Sequence, residues 1–328
     1  MLSRVAESIF WFSRYLERTE NTVRFLAVQF NLEIELSSQM SDQWAPLIKT
    51  ICSEELFYKH YSSPTKENII QFLTFDENNP NSILATLNAA RENARIVRER
   101  IPQDCWQYIN KLYLDVQQFS TNQSKDYLAF FDMIKQSYYQ ISGVLYNTLP
   151  YSEEFHFFNL GKQLERANQI TRLLDTKFYY LLDKDSFVGN HIDLIQWTAV
   201  LHSLSAVEVY RRTFGTPEPA NIASFLLLDS QFPRSLRYCI IDAQASLHKI
   251  TGNDLRSFVK QVEKTMGRLR ANLDYIEIDE IFSFGLHNYI DRIQQRINTI
   301  CNNVKSTFFE QDLQAKPELS VSKVALTT

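Results

Sequence analysis

The sequence predicts an all-α fold, a multi-helix bundle of about ten to twelve helices. Three observations carry that expectation. Only 7 glycines and 9 prolines occur in 328 residues, too few for the turns of a β-sandwich or the glycine loops of an α/β enzyme. No segment sustains the period-two alternation of a half-buried strand. One helical spacing also occurs three times, starting at Leu16, Leu87 and Leu164. Three places on stands a small residue (Thr19, Ala90, Ala167), and seven on a small or β-branched one (Val23, Ala94, Thr171). Eight on stands an arginine (Arg24, Arg95, Arg172), and ten on an aliphatic residue (Leu26, Val97, Leu174). Such a spacing has a common meaning only on helices, where it sets these groups at matched heights and angles.

Prolines and Asn/Ser clusters cut the chain into helical lengths. Ser3 caps a long first helix running to about Leu36, and the polar Ser37–Gln43 stretch reads as a loop. A helix is expected from about Pro46 to His60, and Pro64-Thr65 opens a short one through Phe75. After the Asp76–Asn81 turn, Ser82 caps a helix through Arg100. Pro102 suits the first turn of the next, to about Phe119. Ser124 caps another to about Thr148, where Pro150 breaks it. Ser152 begins the long helix carrying Leu164 and Arg172, ending near Asp183, with Ser186–Asn190 as a loop. Helices then cover His191–Phe214, Ala220–Leu228, Ser235–Ile250, Asp254–Tyr275 and Asp279–Phe309. The organisation is one helical domain over 1–311, with a weak internal joint near Gly215–Pro219 and a mobile tail over 312–328.

Bulk composition narrows the class. Hydrophobic residues make up 45% and aromatics 13%, which favours a packed core over disorder. With a net charge of −4 there is no basic field to attract nucleic acid. Cys52, Cys105, Cys239 and Cys301 are scattered without a Cys-x-x-Cys, which suits a reducing compartment. The apolar patch Ile9–Phe12 is too short for a signal segment and is followed at once by Arg14, Glu17 and Arg18. No apolar run reaches the ~18–20 residues that would span a bilayer. The expectation is a cytoplasmic protein acting without membrane or nucleic acid.

On a helix turning about 100° per residue, Phe12, Leu16, Thr19, Val23 and Leu26 share one side, as do Leu160, Leu164, Ala167, Thr171 and Leu174. Beside that core stripe runs a polar strip: Glu17, Glu20, Asn21 and Arg24 on the first helix, and Glu165, Asn168, Gln169 and Arg172 on the last. Arg18 and Arg166 join them as candidates for an ion-pair network or anion binding. The middle copy places Asn88, Arg91, Glu92 and Arg95 there, with Asn93 a further candidate of the network. Glu20 and Asn168 lie about 40° from the central Leu, at the edge of the core. Charges there require partners, and a guanidinium forks onto a carboxylate. The expectation is a network of Glu and Arg from different helices. The alternative is a set of exposed i,i+3 and i,i+4 pairs worth a few tenths of a kcal/mol each.

Ordered blocks across the chain resemble the bacterial alpha-E domain family, a predicted all-helical domain named for its Glu-Arg motif. They are Met1-Leu2-Ser3-Arg4-Val5-Ala6-Glu7-Ser8, Tyr15-Leu16-Glu17-Arg18-Thr19-Glu20-Asn21, Ala90-Arg91-Glu92-Asn93-Ala94-Arg95, Leu164-Glu165-Arg166-Ala167, Phe225-Leu226-Leu227-Leu228-Asp229 and Phe232-Pro233-Arg234-Ser235. The resemblance implies a bacterial protein encoded beside, or fused to, a circularly permuted ATP-grasp ligase, with transglutaminase-like peptidases as common neighbours. Such gene sets look like systems that make or trim peptides or amide-linked small molecules. No chemistry of the helical member itself carries over. Trp11-Phe12-Ser13 and Gln169-Ile170 stand where relatives often differ, and the Glu and Arg positions are intact.

Other constellations are weak. An ATP-grasp activity needs phosphate-cradling glycine loops at a sheet, and neither is present in the sequence. Cys52 and Cys105 lie in apolar helical surroundings, where inert thiols are the rule. A di-iron bundle needs paired Glu-x-x-His motifs. Glu153-x-x-His156 is the sole such spacing, so no metal and no cofactor is expected. His60, His191, His202, His248 and His287 show no partner pattern. Tyr138, Tyr139, Tyr179, Tyr180, Phe308 and Phe309 read first as helix packing and second as a partner face. Tyr210-Arg211-Arg212 and Arg234–Arg237 are solvated cations, or grips for an acidic partner or phosphate.

Two functions follow. The favoured one is a non-catalytic accessory or scaffold that binds an ATP-grasp-type ligase or transglutaminase-like protein, its Glu/Arg strips fixing helix register. The other is a site in which Arg24, Arg95 and Arg172 hold a carboxylate or phosphate, while Glu17, Glu92 or Glu165, with raised pKa, handles protons. A structural role in a homo-oligomer is the remaining alternative.

Overall fold

The computed structural model describes residues 1–36, 44–45, 47–48, 54–121, 126–182, 191–255 and 257–310. The expectations for Ser37–Gln43, the Pro46 helix start with Cys52, the Ser124 cap, Ser186–Asn190 and the 312–328 tail lie outside those residues. Fourteen α-helices are delimited among the described residues, with no strand. They are α1 (Ser3–Leu36), α2 (Glu54–His60), α3 (Lys66–Thr74), α4 (Ile83–Ile96), α5 (Gln103–Thr121), α6 (Tyr127–Thr148) and α7 (Glu153–Leu182). They continue with α8 (His191–Ser203), α9 (Val207–Phe214), α10 (Pro219–Leu228), α11 (Leu236–Thr251), α12 (Gln261–Tyr275), α13 (Ile278–Phe284) and α14 (Leu286–Val304). A π-helical turn, Lys305–Phe309, follows α14. No helix among the described residues is long and apolar enough to cross a membrane.

Helix starts follow the capping chemistry of the sequence. The side chains of Thr65, Ser82 and Ser235 each accept a backbone N–H in the first turn of α3, α4 and α11. At α6 the cap is Asp126, whose carboxylate accepts from Ala129 N. Three expected helices are shorter or divided. The stretch expected as one helix over His191–Phe214 turns at Ser205, the one described non-glycine residue with positive φ (50°). Nothing in the sequence there resembles a breaker. Asp279–Phe309 divides at Gly285, whose φ of 92° suits a residue without a Cβ. Asp254–Tyr275 loses its first part because Glu263 fixes the helix start downstream: its Oε2 accepts from Lys260 N at 2.9 Å and Val259 N at 2.7 Å.

The long helices α1 and α7 form the axis of the bundle. Helices α4, α6 and α7 flank α1, while α11 and α14 cover the other side of α7. The two axial helices run parallel, because their contacts advance together along both. The Met1 amino group meets Glu153 at 2.9 Å, the Phe12 ring lies 5.7 Å from that of Phe158, and Arg18 Nε meets Glu165 at 2.7 Å. Their core stripes are buried throughout, including Leu16, Val23, Leu26, Leu164, Ala167 and Leu174. Gly161 marks a close approach of the two helices. A Cβ there would fall 2.5 Å from the carbonyl oxygen of Phe10 and closer still to Ser13 Oγ. That explains a glycine in mid-helix, where it otherwise costs about 1 kcal/mol relative to alanine.

Gly161→Ala is therefore expected to destabilise the fold by about 1–3 kcal/mol, despite improving helix propensity. Denaturant midpoints check this. Ser13→Ala in the same chain should recover part of the loss, because it removes the nearer obstacle and leaves the Phe10 carbonyl.

Candidate functional site

At the α1–α7 contact the two Glu-Arg pairs are exchanged between the helices. Glu17 of α1 accepts from Arg166 of α7, Nε to Oε1 at 2.6 Å and Nη2 to Oε2 at 3.0 Å. Glu165 of α7 accepts from Arg18 of α1, Nε to Oε1 at 2.7 Å and Nη2 to Oε2 at 3.1 Å. Both forks are bidentate, the strongest geometry available to this pair. The first and third copies of the repeat are thus related by a local two-fold: a residue of one helix touches the partner position on the other, and the reverse contact is also made.

The correspondence extends a turn in each direction. Upstream, Arg14 adds a second guanidinium to Glu165, at 2.7 Å. Its counterpart 148 places later is Lys162, which lies in the field of Glu17. Downstream, Gln169 donates to Glu165 at 3.2 Å and Asn21 to Glu17 at 3.4 Å. The copies diverge where α1 carries Glu20 and α7 carries Asn168. Glu20 binds Arg24 on its own helix and takes Arg234 Nη2 at 2.9 Å from the start of α11. Arg234 also approaches Glu17 at 3.8 Å and donates to Asn21. Tyr138 of α6 donates to Glu17 at 2.5 Å.

Burial decides what these groups can do. Glu17, Glu20 and Glu165 are 0% exposed. Burial alone would raise the Glu17 pKa, but Arg166 and then Arg234 outweigh it and bring the group down to about 2. For Glu165 the burial cost is likewise outweighed, first by Arg18 and then by Arg14, and its carboxyl lies far below the usual range. Neither is a proton carrier poised near neutrality, which overturns the expectation of a raised pKa. Lys162 moves the other way: burial and the Arg166 guanidinium lower its ammonium to about 8, against the pull of Glu17 and Asp242. Its Nζ donates to Tyr146 Oη, which in turn donates to Asn159.

The middle copy does not join this network. Leu87, Ala90, Ala94 and Val97 of that repeat are buried. Arg91, Glu92 and Arg95 instead pair with one another on α4, Arg91 to Glu92 at 2.9 Å and Arg95 to Glu92 at 2.6 Å. The Arg95 side chain is 61% exposed. Arg91 also donates to Asn110 and lies over the Trp106 and Tyr113 rings of α5, while Asn93 bonds back to Ala89 O. The three arginines Arg24, Arg95 and Arg172 therefore do not converge. Arg172 and Asn168 line a 60 Å³ cavity beside Glu165, together with Arg18, Asn81 and Gln169. Arg24 faces another space, with Nη1 on Ser205 Oγ at 2.6 Å and Nη2 on Tyr139 Oη.

Other sequence candidates resolve simply. Burial pushes the Cys105 thiol up to about 12, as it does that of Cys239, so neither is an activated nucleophile. His287, for which the sequence offers no partner, lies between Asp175 (2.5 Å) and Asp291 (3.6 Å). These three are the one group among the described residues with metal-ligand proximity. Arg14, Lys162, Tyr138 and Arg234 are network members that the three-fold spacing does not include. The first two were visible by extending the repeat one turn upstream. Arg234 stood in a noted cation cluster, but nothing local indicates that it turns inward.

A family model described as "Alpha-E: A predicted alpha-helical domain with a conserved ER motif" matches residues 1–309. Similar proteins include uncharacterized proteins of Mycobacterium bovis and Mycobacterium tuberculosis, each 23% identical over 305 residues, covering 86% of this chain and 34% of the relative. The chain thus spans about a third of the length of these relatives. No solved structure matches.

Two measurements check the site. Because the folded-state pKa values of Glu17 and Glu165 lie below the unfolded ones, the unfolded chain takes up protons first. Stability should hold above about 4.5, the ordinary glutamate value, and fall as pH drops from there towards about 2; urea midpoints across this range test it, and Glu17→Gln should flatten the slope. Arg95→Met should change stability by no more than about 0.5 kcal/mol, whereas Arg166→Met should cost about 3–5 kcal/mol by leaving a buried carboxylate without its main partner.

Proposed function

We propose that this chain, which belongs to the Alpha-E family, is a non-catalytic accessory module that binds a partner enzyme. The observation that carries the proposal is the closure of the Glu-Arg motif on itself. Both motif carboxylates are fully buried and each is held by bidentate guanidinium from the other axial helix. Such a group fixes the register of two helices; it does not reach a substrate. The buried thiols and the depressed glutamates supply no nucleophile or base of ordinary kind.

The partner we propose is an ATP-grasp-type ligase of a peptide- or amide-forming system, as the alpha-E resemblance implies. The length of the mycobacterial relatives supports a module working beside other chain, since the matched region is 34% of each. The helical module would hold the ligase, or present it with its acceptor, while the ligase supplies nucleotide chemistry.

Titrating the purified full chain into the ATP-grasp ligase encoded beside it tests this, with calorimetry and ligase turnover as readouts. The expected result is a saturable complex with micromolar or tighter Kd and a change in ligase rate of several-fold or more. Absence of both binding and rate change would overturn the proposal. So would amide-forming turnover by the isolated chain that is lost in Glu17→Gln while the fold survives.

A further inference from the structure

A second space lies off the network, between α1, α6, α8 and α9. It is a cavity of 620 Å³, within the range of small-molecule sites. Its lining combines two chemistries. Ala27, Val28 and Leu32 of α1 and Leu194, Ile195 and Ala199 of α8 are apolar. Arg24, Lys135 and Arg211 are cationic, with Ser205, Thr198 and Asn31 as neutral hydrogen-bonding groups. No carboxylate is among its described lining residues.

The charge balance can be resolved group by group. Arg24 is held by Glu20 from behind, and Lys135 by Asp132 at 2.6 Å. Arg211 is exposed and has no carboxylate partner among the described residues. His202 also lines the space and is exposed. The described lining therefore offers three cations of which one is not neutralised, a match for a monoanion rather than a dianion. An independent feature lies at the same place. Ser205, the described non-glycine residue with positive φ, forms the turn between α8 and α9 and sets its Oγ on Arg24. A strained backbone of this type costs about 1–3 kcal/mol and persists where the surroundings over-determine it, as at ligand clamps. Here the turn brings Ser205 Oγ to Arg24, and both line the cavity.

We infer that this cavity binds a small organic carboxylate with an apolar body, such as an N-acylated aliphatic amino acid. The carboxylate sits against Arg211 and Lys135 with Arg24, and the apolar body lies on the apolar lining residues of α1 and α8. This assignment is independent of the partner enzyme.

The test is a titration of the full chain with N-acetyl-L-leucine, its neutral amide N-acetyl-L-leucinamide, acetate and inorganic phosphate, followed by amide NMR shifts at Thr198 and Ser205 and by calorimetry. Saturable binding of N-acetyl-L-leucine is expected, with the amide and acetate each at least ten-fold weaker. Arg211→Gln combined with Lys135→Gln should weaken binding at least ten-fold at an unchanged thermal midpoint. Leu194→Asp, which sets a carboxylate at an exposed part of the lining, should do the same without touching the cations. Equal binding of acid and amide, or no saturable shift with any probe, would overturn the inference. Phosphate binding tighter than the carboxylate would overturn the monoanion assignment. Undiminished affinity in both variants would place the ligand elsewhere and overturn the site.

Discussion

Two bidentate ion pairs, exchanged between a pair of parallel helices, set the geometry of this protein. Glu17 reaches across to Arg166 and Glu165 reaches back to Arg18. Burying a carboxylate without a partner is among the most unfavourable things a fold can do. The sequence can place two of them at 0% exposure only if the helices meet in one register. A slip of one turn along either helix would part both carboxylates from their bidentate guanidinium groups. Hydrophobic stripes alone tolerate such slips far better, because apolar contact is non-directional. The ion pairs add the specificity that Leu16 and Leu164 cannot, and Gly161 permits the close approach they require.

Much else is arranged around that crossing. Arg234 enters from the start of α11 and Tyr138 from α6, so that both neighbours are tied to Glu17 and Glu20 as well as to the apolar core. Lys162 occupies the position equivalent to Arg14 and is the one member of the set whose charge is unfavourable where it lies. At the edge of the set, Arg24 turns from Glu20 towards Ser205 and the larger cavity. At that edge Arg24 stays paired with Glu20 while its other nitrogens donate to Ser205 and Tyr139.

The sequence makes the helical class and most helix ends legible, because caps such as Thr65, Ser82 and Ser235 act locally. It also makes the repeat legible, and with it the core stripe of α4 as well as those of α1 and α7. It does not say which copies meet. The middle copy has the same spacing, yet α4 lies at the outside of the axial pair and its polar strip meets α5, so Arg95 stays in solvent. Periodicity fixes angle about a helix axis, while burial depends on what other helix arrives there. The turn at Ser205 and the inward course of Arg234 are hidden for the same reason: each is set by contacts with residues about 180 to 210 positions away. The start of α12 had a readable cause in Glu263, whose role needs only residues a few places upstream.

The central claim is that the Glu-Arg motif joins α1 to α7 by direct pairing across the helices. A double-mutant cycle on Glu17→Gln and Arg166→Met, read by equilibrium denaturation, measures that pairing itself. The account predicts a coupling energy of at least about 1.5 kcal/mol, in the range seen for contacting residues of one buried network. Additive single-site effects, with coupling near zero, would contradict it, since two groups in separate surroundings lose stability independently.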